Sequence, residues 1–259
     1  MENFENTRQT NYTIAEDYIL PSKGKIYDKA VNPNVELRSM TARDEMKRLS
    51  PSATQFKKLA DIIEGCMIEK PAIHVYDMAL GDYEFLLHKL RIVTYGPNYK
   101  MTVQCPHCFE TFEGEANLEQ LQVVDFDEEK FKSLQTFTLP TSGDVIKIKF
   151  QTPRMLDEIE IQTKDAKRKY KSADAELELL FLLKNVIDEV NGNKMAPEKV
   201  ETYINNLPAK DMLKIVNNLD ALNTCVGLDG TIYLDCPHCG GEVRTSFRFG
   251  AEFFRPTNI

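Results

Sequence analysis

The chain has 259 residues, a formal net charge of -8 and 42% hydrophobic residues, enough apolar material for one large domain or two modest ones. The acidic balance argues against a role built on neutralising nucleic-acid phosphates, though a local basic patch is compatible with it. No apolar run approaches the roughly 20 residues of a membrane span, and the acidic, polar N-terminus predicts no secretory signal.

Residues 1–34 read as an extended N-terminal arm. The first nineteen are polar and aperiodic, and Leu20-Pro21-Ser22-Lys23-Gly24-Lys25-Ile26-Tyr27 follows as an extended segment with a tight bend at Gly24. Residues 35–104 form an N-terminal α/β region. It opens on the alternating strand Val35-Glu36-Leu37-Arg38. Thr41 and Asp44 make a capping box for a short helix continued by Met46 and Leu49. Phe56, Leu59, Ile62 and Ile63 predict a helix over 55–66. A stronger one runs from Met78 to Ile92, with Asp82 placed to cap it and Gly96-Pro97 closing it. Tyr99, Met101 and Val103 then alternate toward a cysteine pair.

Residues 117–231 read as a mostly helical insertion. Its sheet-like start is a hairpin, 137–140 and 145–150, about a Ser142-Gly143-Asp144 turn. Thr152-Pro153 begins a charged helix with proline at its first position. The clearest helix spans 176–190 and ends at Asn191-Gly192-Asn193. Two more follow, one carrying Val200, Tyr203, Ile204 and Leu207, the other Met212, Ile215, Val216, Leu219 and Leu222. Ile232, Tyr233 and Leu234 lead into a second cysteine pair. Val243, Thr245, Phe247 and Phe249 alternate as a last strand, and 251–259 form a tail with no room for a further element.

Two copies of one tetrapeptide carry the chemistry: Cys105-Pro106-His107-Cys108 and Cys236-Pro237-His238-Cys239. Two thiolate pairs supply the four soft ligands of a tetrahedral Zn2+ site, and a closed four-thiolate shell makes that single ion structural. Segments 105–116 and 232–250 then read as two halves of a zinc ribbon, interrupted by the insertion. The energetics allow it: structural zinc contributes roughly 10–16 kcal/mol of apparent binding energy, against about 4 kcal/mol for closing so long a loop. The alternatives are four reduced cysteines, or two pairs that never meet. The expected fold class is α+β, a zinc-ribbon-like element with an inserted helical region and an N-terminal helical region bearing the arm.

His107 and His238 sit between ligands and point away from the tetrahedron if both flanking thiolates bind. His74 and His88 have no nucleophile nearby, and the run Asp125, Asp127, Glu128 and Glu129 reads as a solvated face or helix start. Cys66 and Cys225 read as small buried hydrophobes. The basic run Lys164, Lys167, Arg168, Lys169 and Lys171 alternates with acids and reads as a solvated helix face. There is no phosphate-binding loop, H-E-x-x-H or G-x-S-x-G, and no catalytic residue is assigned.

Several of these pieces, in this order, resemble the baseplate-hub proteins of T-even-like contractile-tailed bacteriophages. They are Leu20-Pro21-Ser22-Lys23-Gly24 with Tyr27, then 35–41 with Glu45, then Gly81-Asp82-Tyr83, then Arg91-Ile92 with Tyr95, Gly96 and Tyr99 ahead of the first cysteine pair. The likeness is strong over 18–120 and looser to Phe254-Arg255-Pro256. It implies a non-enzymatic structural or assembly protein that binds other tail and baseplate proteins, in the virion and in the host cytoplasm during assembly. Leu20, Pro21, Lys23, Tyr27, Phe253, Phe254 and Arg255 are the expected partner-binding residues; for the Leu20–Gly24 segment, the competing reading is a plain turn packed on its own domain. The alternatives in function are a phage-encoded zinc-ribbon regulator that binds nucleic acid and a CxxC redox enzyme. Acidic residues around the knuckles disfavour the first. For the second, two near-identical pairs fit a shared ion better.

Overall fold

Residues 13–169, 174–246 and 251–254 are described by a computed structural model of mixed α+β architecture, with two main hydrophobic cores and a small third one under the cysteines. Strand β1 (Ala15–Ile19) pairs antiparallel with β2 (Asn34–Arg38), in register from Ala15↔Arg38 to Ile19↔Asn34. β2 buries Val35 and Leu37, as its alternation predicts, whereas β1 is mostly exposed and is held by its backbone ladder. A strand that buries so little shows no apolar period, so β1 was not legible within the expected arm. Residues 1–12 lie outside the described residues.

Helix α1 (Ala42–Leu49) starts at the predicted capping box: Thr41 Oγ1 accepts from Asp44 N, and Asp44 accepts from Thr41 N at 3.0 Å. Helix α2 (Gln55–Cys66) and helix α3 (Leu80–Tyr95) build the first core, α3 buried on nearly every side. Asp82 does not cap α3, correcting the expectation. The N-cap position is Ala79, and the Asp82 carboxylate, fully buried, accepts from Ser22 N at 3.0 Å, Ser22 Oγ at 2.5 Å and Tyr27 Oη at 2.5 Å. Ser22 Oγ in turn accepts from Gly24 N, and Tyr27 Oη from Ala79 N. Every proton is committed toward the carboxylate. Burial pushes the Asp82 pKa up, and the Ser22 and Tyr27 donors pull it back. The turn itself uses left-handed backbone at Lys23 (φ 54°) and Gly24 (φ 70°), where a Cβ on Gly24 would overlap the Val31 carbonyl. The expected arm is therefore folded from residue 15 onward, with Leu20 and Val31 in the first core.

Strands β3 (Asn98–Gln104) and β4 (Thr111–Asn117) form a hairpin closed by the first cysteine pair. β5 (Gln122–Val123) leads into the second core through α4 (Glu128–Gln135), whose N-cap is Asp127 with bonds to Glu129 N and Lys130 N. The acidic run thus serves as a helix start. β6 (Thr136–Thr138) and β7 (Val145–Ile148) are the predicted hairpin, followed by α5 (Pro153–Lys169) with proline at its first position and α6 (Asp174–Val186).

The helix expected over 176–190 stops at Val186. Its last residues become β8 (Ile187–Val190), paired to β7 through Ile148↔Ile187 and Ile146↔Val190. β-Branched residues facing an open strand edge gain more from the ladder than from another helical turn. Asn191 (φ 53°) and Gly192 (φ 76°) then make a two-residue hairpin turn into β9 (Asn193–Lys194), completing a sheet of order β6-β7-β8-β9. Helices α7 (Pro197–Asn205) and α8 (Ala209–Thr224) follow. β10 (Leu228–Asp229) returns to pair with β5, so the chain enters and leaves the insertion side by side. β11 (Thr231–Asp235) and β12 (Glu242–Ser246) form the second hairpin. Contrary to the expectation of a tail with no room for a further element, 251–254 make a 3-10 turn that buries Phe253 and Phe254.

The two cores are stapled by polar groups. Asp157 of α5 accepts from Phe56 N and Lys57 N at 3.3 and 2.9 Å, capping α2 where Thr54 makes no side-chain cap, and also from Tyr76 Oη. Arg154 grips Asp77 with two hydrogen bonds, at 2.5 and 2.9 Å. Gly81 lies against the Val226 carbonyl, which any Cβ there would overlap.

Two predictions follow from the buried carboxylates of α3. Asp82→Ala strands three donors and should lower stability by about 3–5 kcal/mol in urea unfolding, with Asp82→Asn milder. Glu84 is mostly buried, has no hydrogen-bond or ion-pair partner among the described residues, and is pushed up to about 7 by burial alone. Its folded pKa exceeds the unfolded one, so its contribution is fully present below about pH 4.5 and is lost as pH rises through about 7. Glu84→Gln should therefore flatten the stability-versus-pH curve between pH 5 and 8 and stabilise the protein at pH 8, by about 1–3 kcal/mol.

Candidate metal centre

Each cysteine pair occupies a hairpin turn with the same hydrogen-bond pattern. Cys105 N donates to Glu110 O and Phe109 N to Cys105 O; Cys236 N donates to Gly241 O and Gly240 N to Cys236 O. The residue after each pair is left-handed, Phe109 at φ 62° and Gly240 at φ 71°. The hairpins meet over a small core of Val103, Phe112 and Val243 with Met101 and Leu234 packed on it, and Gly114 on β4 leaves the space that Leu234 of β11 fills.

This packing brings Cys105, Cys108, Cys236 and Cys239 together, with all four Sγ atoms within 4.8 Å of one another. Cys105 Sγ lies 3.7 Å from Cys239 Sγ, and Cys108 Sγ 3.7 Å from Cys236 Sγ. These are far beyond the ~2.05 Å of a disulfide and close to the ~3.8 Å edge of a tetrahedron with metal–sulfur bonds of ~2.3 Å. The donor set fits a metal chemically as well. Burial raises the Cys105 thiol, but the N–H groups of Cys108 and His107 and neighbouring thiols outweigh it and bring it down to about 6. The Glu110 N–H lowers Cys108, yet burial and its three sulfur neighbours push it up to about 12. Sulfurs this close accommodate a first thiolate and resist a second, a balance that a divalent cation reverses. Around a tetrahedral ion, four protein sulfurs would complete the shell and leave no coordination position for a substrate.

His107 turns away from the sulfurs, its Nε2 lying 3.1 Å from the Glu242 carbonyl on the opposite hairpin. A Cβ at Gly241 would come within 2.7 Å of the His107 ring, so this second glycine serves the cross-hairpin histidine, while Gly240 supplies the left-handed turn. Spacing within one tetrapeptide gave no signal for a bond to a strand so distant in the chain. His238 is exposed. His88 is buried, within 2.9 Å of the Leu118 carbonyl and stacked on Phe253, and Cys66 and Cys225 are buried as read.

The expected partner-binding residues lie mostly inside. Leu20 and Pro21 are buried, Tyr27 is half-buried and committed to Asp82, and only Lys23 is exposed. The Leu20–Gly24 segment is thus a turn packed on its own domain, because Asp82 draws Ser22 inward. Phe253 and Phe254 are each 1% exposed and belong to the first core; Arg255 lies outside the described residues. Phe253 closes a cage around Arg91, itself 1% exposed, whose guanidinium also lies over the rings of Tyr95 and Tyr99 at 5.5 Å. Arg91 donates to the carbonyls of Gly96 and Asn98. Arg91, Tyr95, Gly96 and Tyr99 thus gather about one buried cation held by carbonyls and ring faces.

No helix among the described residues is long and apolar enough to cross a membrane. No match was found among curated proteins or solved structures. A family model described as T4 bacteriophage base plate protein matches residues 11–255, spanning both cores, both hairpins and the cysteine cluster. The chain belongs to this family of phage baseplate proteins.

Proposed function

We propose that the chain is a structural or assembly component of the baseplate hub, held together by one structural zinc ion and acting through contacts with other tail and baseplate proteins. The family match carries the baseplate role. The four converging sulfurs support the zinc, with Cys105, Cys108, Cys236 and Cys239 as its ligands and the paired hairpins as a ribbon split by the insertion. Zinc supplies no reaction here: it neutralises the thiolates and ties the hairpins together. The protein acts in the virion tail and, during assembly, in the host cytoplasm, without catalysis. Nucleic acid is a poor partner for the sequence around the knuckles, where Glu110, Glu113, Glu115, Asp235 and Glu242 outnumber Arg244 and Arg248.

Quantitative mass spectrometry of purified particles tests the role. A fixed ratio to tail proteins marks a permanent component; presence only in infected lysate, together with incomplete tails when the chain is missing, marks an assembly factor. Normal tails without the chain would sink both. For the metal, elemental analysis should give one zinc per chain. Cys105→Ser or Cys236→Ser should lose it and lower the thermal midpoint by well over 5 °C, about the shift expected from several kcal/mol. Because protons compete for the thiolates, zinc should also be released as pH falls, followed with a chromogenic chelator. A metal-free chain of unchanged stability would refute the structural ion.

A further inference from the structure

Helix α1 is amphipathic with its faces reversed. Ala42, Met46 and Leu49 fall at positions i, i+4 and i+7, a single apolar stripe, and this stripe faces outward: Met46 is 64% and Leu49 67% exposed. The buried positions are Asp44 and Arg48. Their charges are fully engaged inside. Asp44 accepts from Arg38 Nη1 at 2.9 Å and from Thr41. Arg48 donates to both Glu45 oxygens, at 2.9 and 2.5 Å, Glu45 also accepts from Tyr95 Oη at 2.8 Å, and the Arg48 guanidinium lies 5.7 Å from the Phe254 ring centroid. Rolling the helix to bury Met46 and Leu49 would break this set and leave buried charges unpaired, so the outward stripe is locked in place.

Arg43 and Lys47 run beside the stripe, one helical turn apart, and neither has an ion-pair partner among the described residues. Lys47 also borders a cleft of about 380 Å3 between α1 and α2, rimmed by Lys57 and Lys58 and by Asp61, which pairs with Lys57. In a chain of net charge -8, this is a local cationic surface along one side of an apolar strip.

We propose that α1 is a docking face for another tail protein, whose contacting segment is apolar with flanking Asp or Glu side chains. The inference rests on the baseplate reading above. Charge complementarity selects the occupant: apolar anchors cover Met46 and Leu49, and carboxylates meet Arg43, Lys47 and Lys58. A second copy is disfavoured, because a two-fold contact through this stripe sets Arg43 and Lys47 against their own equivalents. An anionic membrane is disfavoured because an eight-residue helix with two large apolar side chains offers little to insert.

The test complements phage lacking this chain with the Met46→Ser/Leu49→Ser and Arg43→Glu/Lys47→Glu double variants of the full chain. All four residues are exposed, so both variants should keep the wild-type thermal midpoint and metal content while the yield of complete tails falls about tenfold or more. In a parallel arm Met46 is replaced by photoreactive benzoylphenylalanine and irradiated during assembly. Adducts on an acidic, apolar segment of a tail protein are expected, an outcome read directly even if a double variant proves unstable. Wild-type tail yield from either folded double variant overturns the proposal. So do adducts on a second copy of the chain, or Met46- and Leu49-dependent sedimentation with phosphatidylglycerol vesicles. If tails assemble normally with no copy of the chain, the baseplate role itself fails; if only the variants behave as wild type, α1 alone is at fault.

Discussion

Four sulfur atoms within 4.8 Å of one another are the constraint on which the architecture turns. Without a cation they repel as thiolates, and with one they bind both hairpins into a unit. The excursion between the hairpins is long, yet its ends leave side by side as β5 and β10, and it is folded around its own core. The cost of closure therefore falls far below that of a flexible loop. His107 adds a cross-hairpin bond that needs no metal, and Gly241 exists to admit its ring.

Helix α3 is the second organising element, and its polar residues act inward. Gly81 admits the α8–β10 connection, Asp82 holds the Leu20–Tyr27 turn, and Arg91 gathers Tyr95, Tyr99 and the C-terminal Phe253. The segments that mark the family resemblance are thus parts of the fold's interior. A motif of Ser, Tyr, Asp and Arg suggests a surface for partners, but here Ser22, Tyr27, Asp82 and the two Arg91 Nη atoms are all hydrogen-bonded internally. The surface carrying apolar anchors is instead α1, where the inward face is charged and satisfied and the outward face is not.

Local signals were legible wherever the cause was local. The Thr41–Asp44 capping box, Pro153 at a helix start, the 55–66 helix and the alternation into each cysteine pair all appear as read. The repeated tetrapeptide marked the four cysteines because identical donor pairs at matched turns suit one shared site. Errors arose where a distant neighbour outweighed the local pattern. Ile187–Val190 looked like the end of a helix until β7 offered an edge, Asp82 looked like a cap until Ser22 and Tyr27 reached it, and the tail looked free until Arg91 and His88 received Phe253.

By itself, the sequence determined the mixed α+β class, most helix positions and the identity of the clustered cysteines, because caps, periodicity and ligand type are properties of neighbouring residues. Only the tertiary structure decided which faces are inside. Whether Met46 is core and Asp44 surface, or the reverse, depends on Arg38, Tyr95 and Phe254, brought beside α1 from elsewhere in the chain. Burial of a charge is set by the partners that folding delivers to it, and a linear pattern does not contain them.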